Sequence, residues 1–93
     1  MRNARTTKKR NLNLFLRDAR IQAGLSQKDV SDKLGYSSAQ FVSNWERGLA
    51  TPPGRTLRKL SQIYKIKADE LYSILLAETL QRAEAELEKE FFG

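Results

Sequence analysis

Residues 24–48 read GLSQKDVSDKLGYSSAQFVSNWERG, and this stretch decides the fold of the chain. Ser26 is a good N-cap, and Asp29 follows three residues later at the spacing of a capping box, so a helix is predicted over 27–34. Gly35 can adopt a positive φ angle without steric cost, which ends that helix in a tight turn.

A second short helix is predicted over 38–47, capped by Ser37 or Ser38, with Phe41, Val42 and Trp45 on its apolar side. Its opposite face is polar and carries hydroxyl and amide groups. Two short helices joined by a glycine turn suit a pair in which the second helix lies in the DNA major groove and the first braces it across the backbone. Asn and Gln can bond adenine bidentately, and Ser can bond several base edges.

The remaining periodicity predicts three more helices. The first covers 11–23, with Asn11 as its cap and Gly24 as a left-handed C-terminal residue. Pro52-Pro53 begin a fourth helix, where proline is tolerated at the first position. A fifth begins near Ala68 and continues to about residue 91, because its residues are strong helix formers without Gly or Pro. The chain is therefore predicted to be all-α with five helices.

Composition excludes several classes of function. The 93 residues contain no cysteine and no histidine, which removes disulfides, thiolate metal sites and the commonest general base. We therefore expect no enzymatic activity, no metal and no cofactor. No apolar run reaches membrane-spanning length and the first residues lack a signal-peptide apolar region, so a cytoplasmic protein without membrane association is expected.

Charge divides the chain into two parts. Residues 1–67 hold fifteen basic and four acidic side chains, a net charge of +11, whereas residues 68–93 hold two basic and seven acidic ones, a net charge of −5. The basic part suits a phosphate backbone, which would repel the acidic part. Residues 1–10 are predicted to be a disordered basic arm, either a solvated tail or an arm that touches phosphates or enters the minor groove.

An apolar seam follows the last helix beyond the part that completes the core. Its members recur at spacings of four or three residues: Leu76, Leu80, Ala83, Leu87, and Glu90 or Phe91. A lone helix that exposes such a seam is marginal in water, so a partner surface is expected. The predicted organisation is thus the arm 1–10, a DNA-binding domain 11–72 and a helical dimerisation extension 73–93.

Several short pieces of sequence fall in the order and near the spacing of a known family: Leu16-Arg17, Ala19-Arg20, Ala23-Gly24-Leu25-Ser26-Gln27, Lys33-Leu34-Gly35, Trp45-Glu46-Arg47-Gly48, Thr51-Pro52, Thr56-Leu57 with Leu60, and Ala68-Asp69-Glu70-Leu71. With these pieces the chain resembles the Cro/CI-type (XRE-like) helix-turn-helix family of phage repressors and bacterial regulators. The resemblance implies a compact lambda-repressor-like five-helix domain whose third helix enters the major groove, here followed by an extended C-terminal helix.

The resemblance also implies roles for single residues. Gln27 and Arg47 match positions that commonly contact phosphate, and Arg20 and Glu46 match a buried ion pair. Between Gly35 and Gly48 the chain has one residue more than family members usually have. This residue either lengthens the turn or extends the recognition helix at its N-terminus.

These arguments define the expected site on double-stranded DNA. The residues expected to read bases are Ser38, Ala39, Gln40, Ser43 and Asn44. Those expected to contact phosphates are Gln27, Arg47, Arg55, Lys28, Lys8, Lys9 and Arg10. The predicted function is a transcriptional regulator, a repressor that binds a pseudo-palindromic operator as a homodimer. The alternatives are an antitoxin-type protein that binds a partner protein through its acidic C-terminal helix, and a controller protein of a restriction–modification system.

Overall fold

The computed structural model describes residues 11–93, which form five α-helices and no strand within that range. The helices are α1 (Leu12–Gln22), α2 (Gln27–Leu34), α3 (Gln40–Glu46), α4 (Gly54–Ile63) and α5 (Ala68–Phe92). The all-α, five-helix prediction is confirmed. The predicted arm, with Lys8, Lys9 and Arg10, lies outside the described residues.

The core is built from the apolar stripe of every helix. α3 packs against both α1 and α2, while α5 packs against α4 and α1. The buried apolar side chains are Leu12, Leu16, Val30, Val42, Trp45, Leu57, Leu60, Tyr64, Leu71 and Ile74. α3 thus has packed neighbours on its inner side and leaves its opposite face for contacts outside the domain.

Local signals place the ends of α2 as predicted. The Asp29 amide donates to Ser26 Oγ at 2.9 Å, and the Ser26 amide donates to Asp29 Oδ2 at 2.9 Å, which completes a capping box. Gly24 and Gly35 have φ angles of 75° and 87°, so both take the left-handed conformation that lets the chain reverse after a helix.

The prediction that the third helix covers 38–47 is wrong at its N-terminus, because α3 begins at Gln40. Ser38 Oγ accepts the Gln40 amide at 3.3 Å, and Ala39 occupies the N-cap position. The turn after α2 therefore spans residues 35–39. The additional residue lengthens this turn and does not extend the helix.

The capping of α1 and the start of α4 also differ from the sequence prediction. Asn11 stands at the N-cap of α1 but makes no capping bond with its side chain. Instead Glu78 Oε2, from α5, accepts the Leu12 amide at 2.7 Å. α4 begins at Gly54 and not at the prolines, since Pro53 has an extended ψ of 155°.

α5 runs without a break for 25 residues and changes character along its length. Leu71 and Ile74 are buried in the core, whereas the seam side chains beyond them are exposed, with Leu80 at 60% and Leu87 at 64%. Contacts with the body continue to Glu78, so the division between residues 72 and 73 stays a prediction. Among residues 11–93, no helix combines the length and apolar character needed to span a bilayer.

Candidate nucleic-acid interface

A buried ion pair fixes the end of α3 against α1. Arg20 Nε donates to Glu46 Oε2 at 2.7 Å, and Arg20 Nη2 donates to Glu46 Oε1 at 3.0 Å, which is the bidentate geometry that suits guanidinium and carboxylate. The pKa of Arg20 is raised, first by this hydrogen bond. A third donor, Arg20 Nη1, reaches the Leu25 carbonyl at 2.9 Å and so ties the turn after α1 to the same pair.

Gln27 joins this network from the first turn of α2. Its Nε2 donates to Glu46 Oε1 at 3.0 Å, and the residue is half-buried. The Gln27 side chain therefore links the start of α2 to the end of α3, where the sequence analysis expected a phosphate contact. This hydrogen bond fixes the orientation of α2 relative to α3.

The outer face of α3 carries a pair of amide side chains. Gln40 Nε2 donates to Asn44 Oδ1 at 3.0 Å across one helical turn. This bond leaves Gln40 Oε1 as an acceptor and Asn44 Nδ2 as a donor. Adenine offers an N6 donor and an N7 acceptor in the major groove, which is the complementary pattern.

The other expected base-reading residues surround this pair. Ser43 is half-buried on α3, and Ser38 and Ala39 lie in the turn that leads into it. The Ser38 hydroxyl is engaged by the Gln40 amide, so its position is coupled to the first residue of the helix. The structure thus brings Gln40, Ser43 and Asn44 together on α3 and places Ser38 and Ala39 just before it.

The expected phosphate-contacting cations occupy exposed positions. Arg47 is the C-cap residue of α3, and Arg55 lies in the first turn of α4. Lys28 is exposed on α2, where its ammonium pairs with Asp32 one turn later. Such a solvent-exposed pair contributes little and leaves the lysine available to a stronger anion.

An aromatic cluster supports α3 from the side of the turn. The Tyr36 ring lies 4.7 Å from the Phe41 ring and 6.1 Å from the Trp45 ring, measured between centroids. Trp45 is buried, as expected of a core residue, whereas Phe41 is 54% exposed. Offset and edge contacts of this kind stabilise a fixed arrangement of rings. The cluster holds the lengthened turn against the helix that follows it.

Sequence reasoning missed several supporting residues of this site. Asn13 Nδ2 donates to the Glu46 carbonyl at 3.3 Å from 33 residues away. Tyr36 was not assigned a role, although an aromatic residue beside the turn glycine is a signal for packing there. Burial and the charge of Glu46 both raise the pKa of Tyr64, so this phenol stays neutral beside the ion pair.

Comparison with known proteins agrees with this architecture. The family model for helix-turn-helix proteins matches residues 16–71, which is more than half of the chain. The HTH-type transcriptional regulator ImmR of Bacillus subtilis (strain 168) is 39% identical over 56 residues, covering 60% of this chain and 43% of that protein. The similarity to ImmR thus spans less than half of that protein, and the segment matched by the family model contains α2, α3 and the residues that join them. With its five helices and its matched segment, the chain belongs to the XRE-like helix-turn-helix family.

Proposed function

We propose that this protein is a sequence-specific DNA-binding transcriptional regulator of the cytoplasm, a repressor that binds a pseudo-palindromic operator as a homodimer. One observation supports this most directly. The amide pair of Gln40 and Asn44 lies on the outer face of α3, whose end is fixed by the partly buried network of Arg20, Gln27 and Glu46. A reading face on a rigid element is what base recognition needs.

In this proposal α3 enters the major groove, and Gln40, Ser43 and Asn44 contact base edges with Ser38 and Ala39 nearby. Arg47, Arg55 and Lys28 contact phosphates, as do Lys8, Lys9 and Arg10. Gln27 donates one Nε2 hydrogen to Glu46, so its second Nε2 hydrogen and its backbone amide at the start of α2 are the donors left for a phosphate. Phosphate contacts set position and affinity, whereas base contacts set specificity.

The homodimer in this proposal is held by the exposed seam of α5. Leu76, Leu80, Ala83, Leu87 and Phe91 lie beyond the part of α5 that completes the core, and the four larger members are 41% to 78% exposed. Two copies would then present two α3 helices to half-sites about one turn of DNA apart. The same seam, beside acidic side chains, favours an antitoxin-type partner protein as the second candidate function.

The test is selection of bound duplexes from a random DNA pool at physiological salt, followed by sequencing. We expect an enriched pseudo-palindrome, which would establish a specific dimeric regulator and give its half-site spacing. A single enriched half-site would contradict the homodimer and support a missing partner protein. Binding without any enrichment, lost as salt rises, would contradict sequence-specific recognition, because only counterion release would then drive it.

A further inference from the structure

We propose that two copies of this chain pair through α5 in antiparallel orientation, with each seam residue opposite a seam residue of the other copy. This inference rests on the proposed homodimer and names its geometry. The pairing seam comprises Tyr72, Leu76, Leu80, Ala83, Leu87 and Phe91. Tyr72 lies opposite the partner's Phe91, Leu76 opposite the partner's Leu87, and Leu80 opposite the partner's Ala83.

The spacing of the six residues in the pairing seam is the same whether it is counted from Tyr72 or from Phe91. Its successive intervals are four, four, three, four and four residues, so its midpoint falls between positions 81 and 82. At 3.6 residues per turn, the six positions lie within a stripe about 100° wide on one face of the helix. A twofold axis at the midpoint therefore aligns every apolar member of one seam with an apolar member of the other, as an isologous interface requires.

The seam is open in the described chain. Tyr72 is 62% exposed, Leu80 60% and Phe91 78%, although each could bury substantial apolar area. The opposite side of α5 is occupied by the body, where Leu71 and Ile74 are buried and Glu78 binds the Leu12 amide. A second helix can therefore lie along the seam without displacing any contact of the domain.

Charge selects the antiparallel direction. The distal part of α5 carries Glu84, Glu86, Glu88 and Glu90 around one cation, Lys89. A parallel pair would set these acidic segments side by side, and like charges at close range repel. An antiparallel pair sets the acidic segment of each copy against residues 71–80 of the other copy. The one charged side chain in residues 71–80 is Glu78, which already binds the Leu12 amide.

The surroundings of that opposite segment are basic and apolar. α4 packs on α5 and carries no acid; besides Arg55, which is assigned to a DNA phosphate, its cations are Arg58 and Lys59. Between the two helices lies an apolar groove of about 300 Å³, lined by Leu57, Arg58, Leu71, Tyr72 and Leu75 among others. Tyr72 belongs to both the groove and the seam, so the partner's Phe91 would lie at the edge of this groove. The acidic, aromatic end of α5 therefore meets a surface of complementary charge and polarity.

The absence of native cysteine allows a direct test by disulfide trapping in the full chain. Leu76→Cys and Leu87→Cys are prepared as separate variants, mixed while reduced, re-equilibrated and then oxidised. We expect a cross-linked product that contains one chain of each variant, and no product above background from either variant alone. Identical positions would lie 11 residues apart along the paired helices, about 16 Å, whereas a disulfide needs Cα atoms within about 7 Å.

The pair Tyr72→Cys and Phe91→Cys repeats the test at the outer positions, and circular dichroism checks that each variant keeps its helices. Cross-linking of single variants with themselves would show parallel pairing and overturn the proposal. So would failure of both mixtures to cross-link. The DNA selection described above is read separately. If the mixtures cross-link but no DNA sequence is enriched, the proposed function is contradicted. If a DNA sequence is enriched but the mixtures do not cross-link, only the antiparallel pairing is contradicted.

Discussion

Glu46 is the side chain on which the helix pair depends most. Its carboxylate accepts from Arg20 and Gln27, and its carbonyl accepts from Asn13, so α1, α2 and α3 all meet at one residue. A buried carboxylate is stable only when it is paired and fully hydrogen-bonded. Because both α1 and α2 contribute donors to this residue of α3, the position of α3 is set by the body of the domain.

At Asn44 we predict a loss of specificity without a loss of folding. Asn44→Ala removes one of the two amides of the reading pair, and we expect discrimination at one base pair to fall by about 1–3 kcal/mol. Competition binding with operators substituted at each position measures this change.

Gln81→Ala, which removes an exposed amide from α5, is the matched control and should leave the base preferences unchanged. Gln40→Ala should reduce the specificity at the same base pair as Asn44→Ala, since the two side chains are hydrogen-bonded to each other. If Asn44→Ala kept every wild-type preference, the reading face would lie elsewhere on the protein.

Ser31 is a buried residue whose hydroxyl has no hydrogen-bond partner among residues 11–93. An unsatisfied buried hydroxyl costs about 1–3 kcal/mol, and alanine is also the better helix former. We therefore expect Ser31→Ala to raise the free energy of unfolding, by up to about 2 kcal/mol, in urea denaturation.

Ser31→Val is the contrasting variant, because it adds volume at a position with no exposed surface. We expect it to lower the free energy of unfolding. A Ser31→Ala variant less stable than the wild type would show that the hydroxyl makes a stabilising contact.

At the scale of elements, the structure separates features that sequence can predict from those it cannot. Both ends of α2 were predicted, because the capping box and the C-terminal glycine act over four residues or fewer. The group that caps α1 and the start of α3 were not. The start of α1 is capped by Glu78, which is 66 residues away in sequence. The start of α3 depends on how the preceding turn packs Tyr36 against Trp45.

The site shows the same division. The family resemblance indicated that Arg20 and Glu46 pair, but it gave no sign that Gln27 binds the same carboxylate. That contact depends on the angle between α2 and α3, which the sequence pattern does not specify. Likewise Gln40 and Asn44 were both expected to read bases, whereas their mutual hydrogen bond follows from the start of α3 at Gln40.

The capping box of α2 predicts an acid-dependent stability. Hydrogen bonds from Ser26, first from its backbone, lower the pKa of Asp29 below its ordinary value of 3.8. When the pKa of an acid is lowered in the folded state, the acid stabilises the fold at pH values above its ordinary pKa. This contribution is lost as the pH falls through the lowered pKa. The difference in unfolding free energy between wild type and Asp29→Asn should therefore be largest near neutral pH and shrink in acid.

Urea denaturation at a series of pH values measures that difference. Asp18→Asn is the matched control, since it removes an exposed acid from α1 that has no capping bond. A difference between wild type and Asp29→Asn that stayed constant down to the most acid solution would contradict the role assigned to Asp29.

At the scale of the whole molecule, the basic and the acidic parts of the chain form different surfaces. The basic part of the chain contains α1 to α4 and with them the candidate DNA interface, while the acidic part is α5 alone. An acidic helix is repelled by the DNA backbone, so in the proposed complex we expect α5 to be oriented away from the DNA. The proposed homodimer would therefore use a surface separate from the candidate DNA interface.

We predict that Leu80→Glu breaks the dimer without unfolding the domain. Leu80 is 60% exposed, so its replacement removes no core contact, but it places a charge near the proposed twofold axis. Sedimentation should shift from the mass of two chains to that of one, and affinity for a two-site operator should fall toward that for a single half-site.

Gln81→Glu adds the same charge one residue along α5, outside the seam, and should leave the mass and the affinity unchanged. A Leu80→Glu protein that sedimented as two chains would exclude the α5 seam as the interface.

The hydrogen bond between Leu12 and Glu78 also affects how the chain folds while it is being synthesised. α1 has 11 residues, fewer than the roughly 12–15 at which an isolated helix becomes marginally stable in water. Synthesis delivers the N-terminal end first, so α1 leaves the ribosome long before the carboxylate that caps it exists. The start of the first helix is therefore capped only when the last helix docks, and in chains interrupted before α5 that start stays open to proteases.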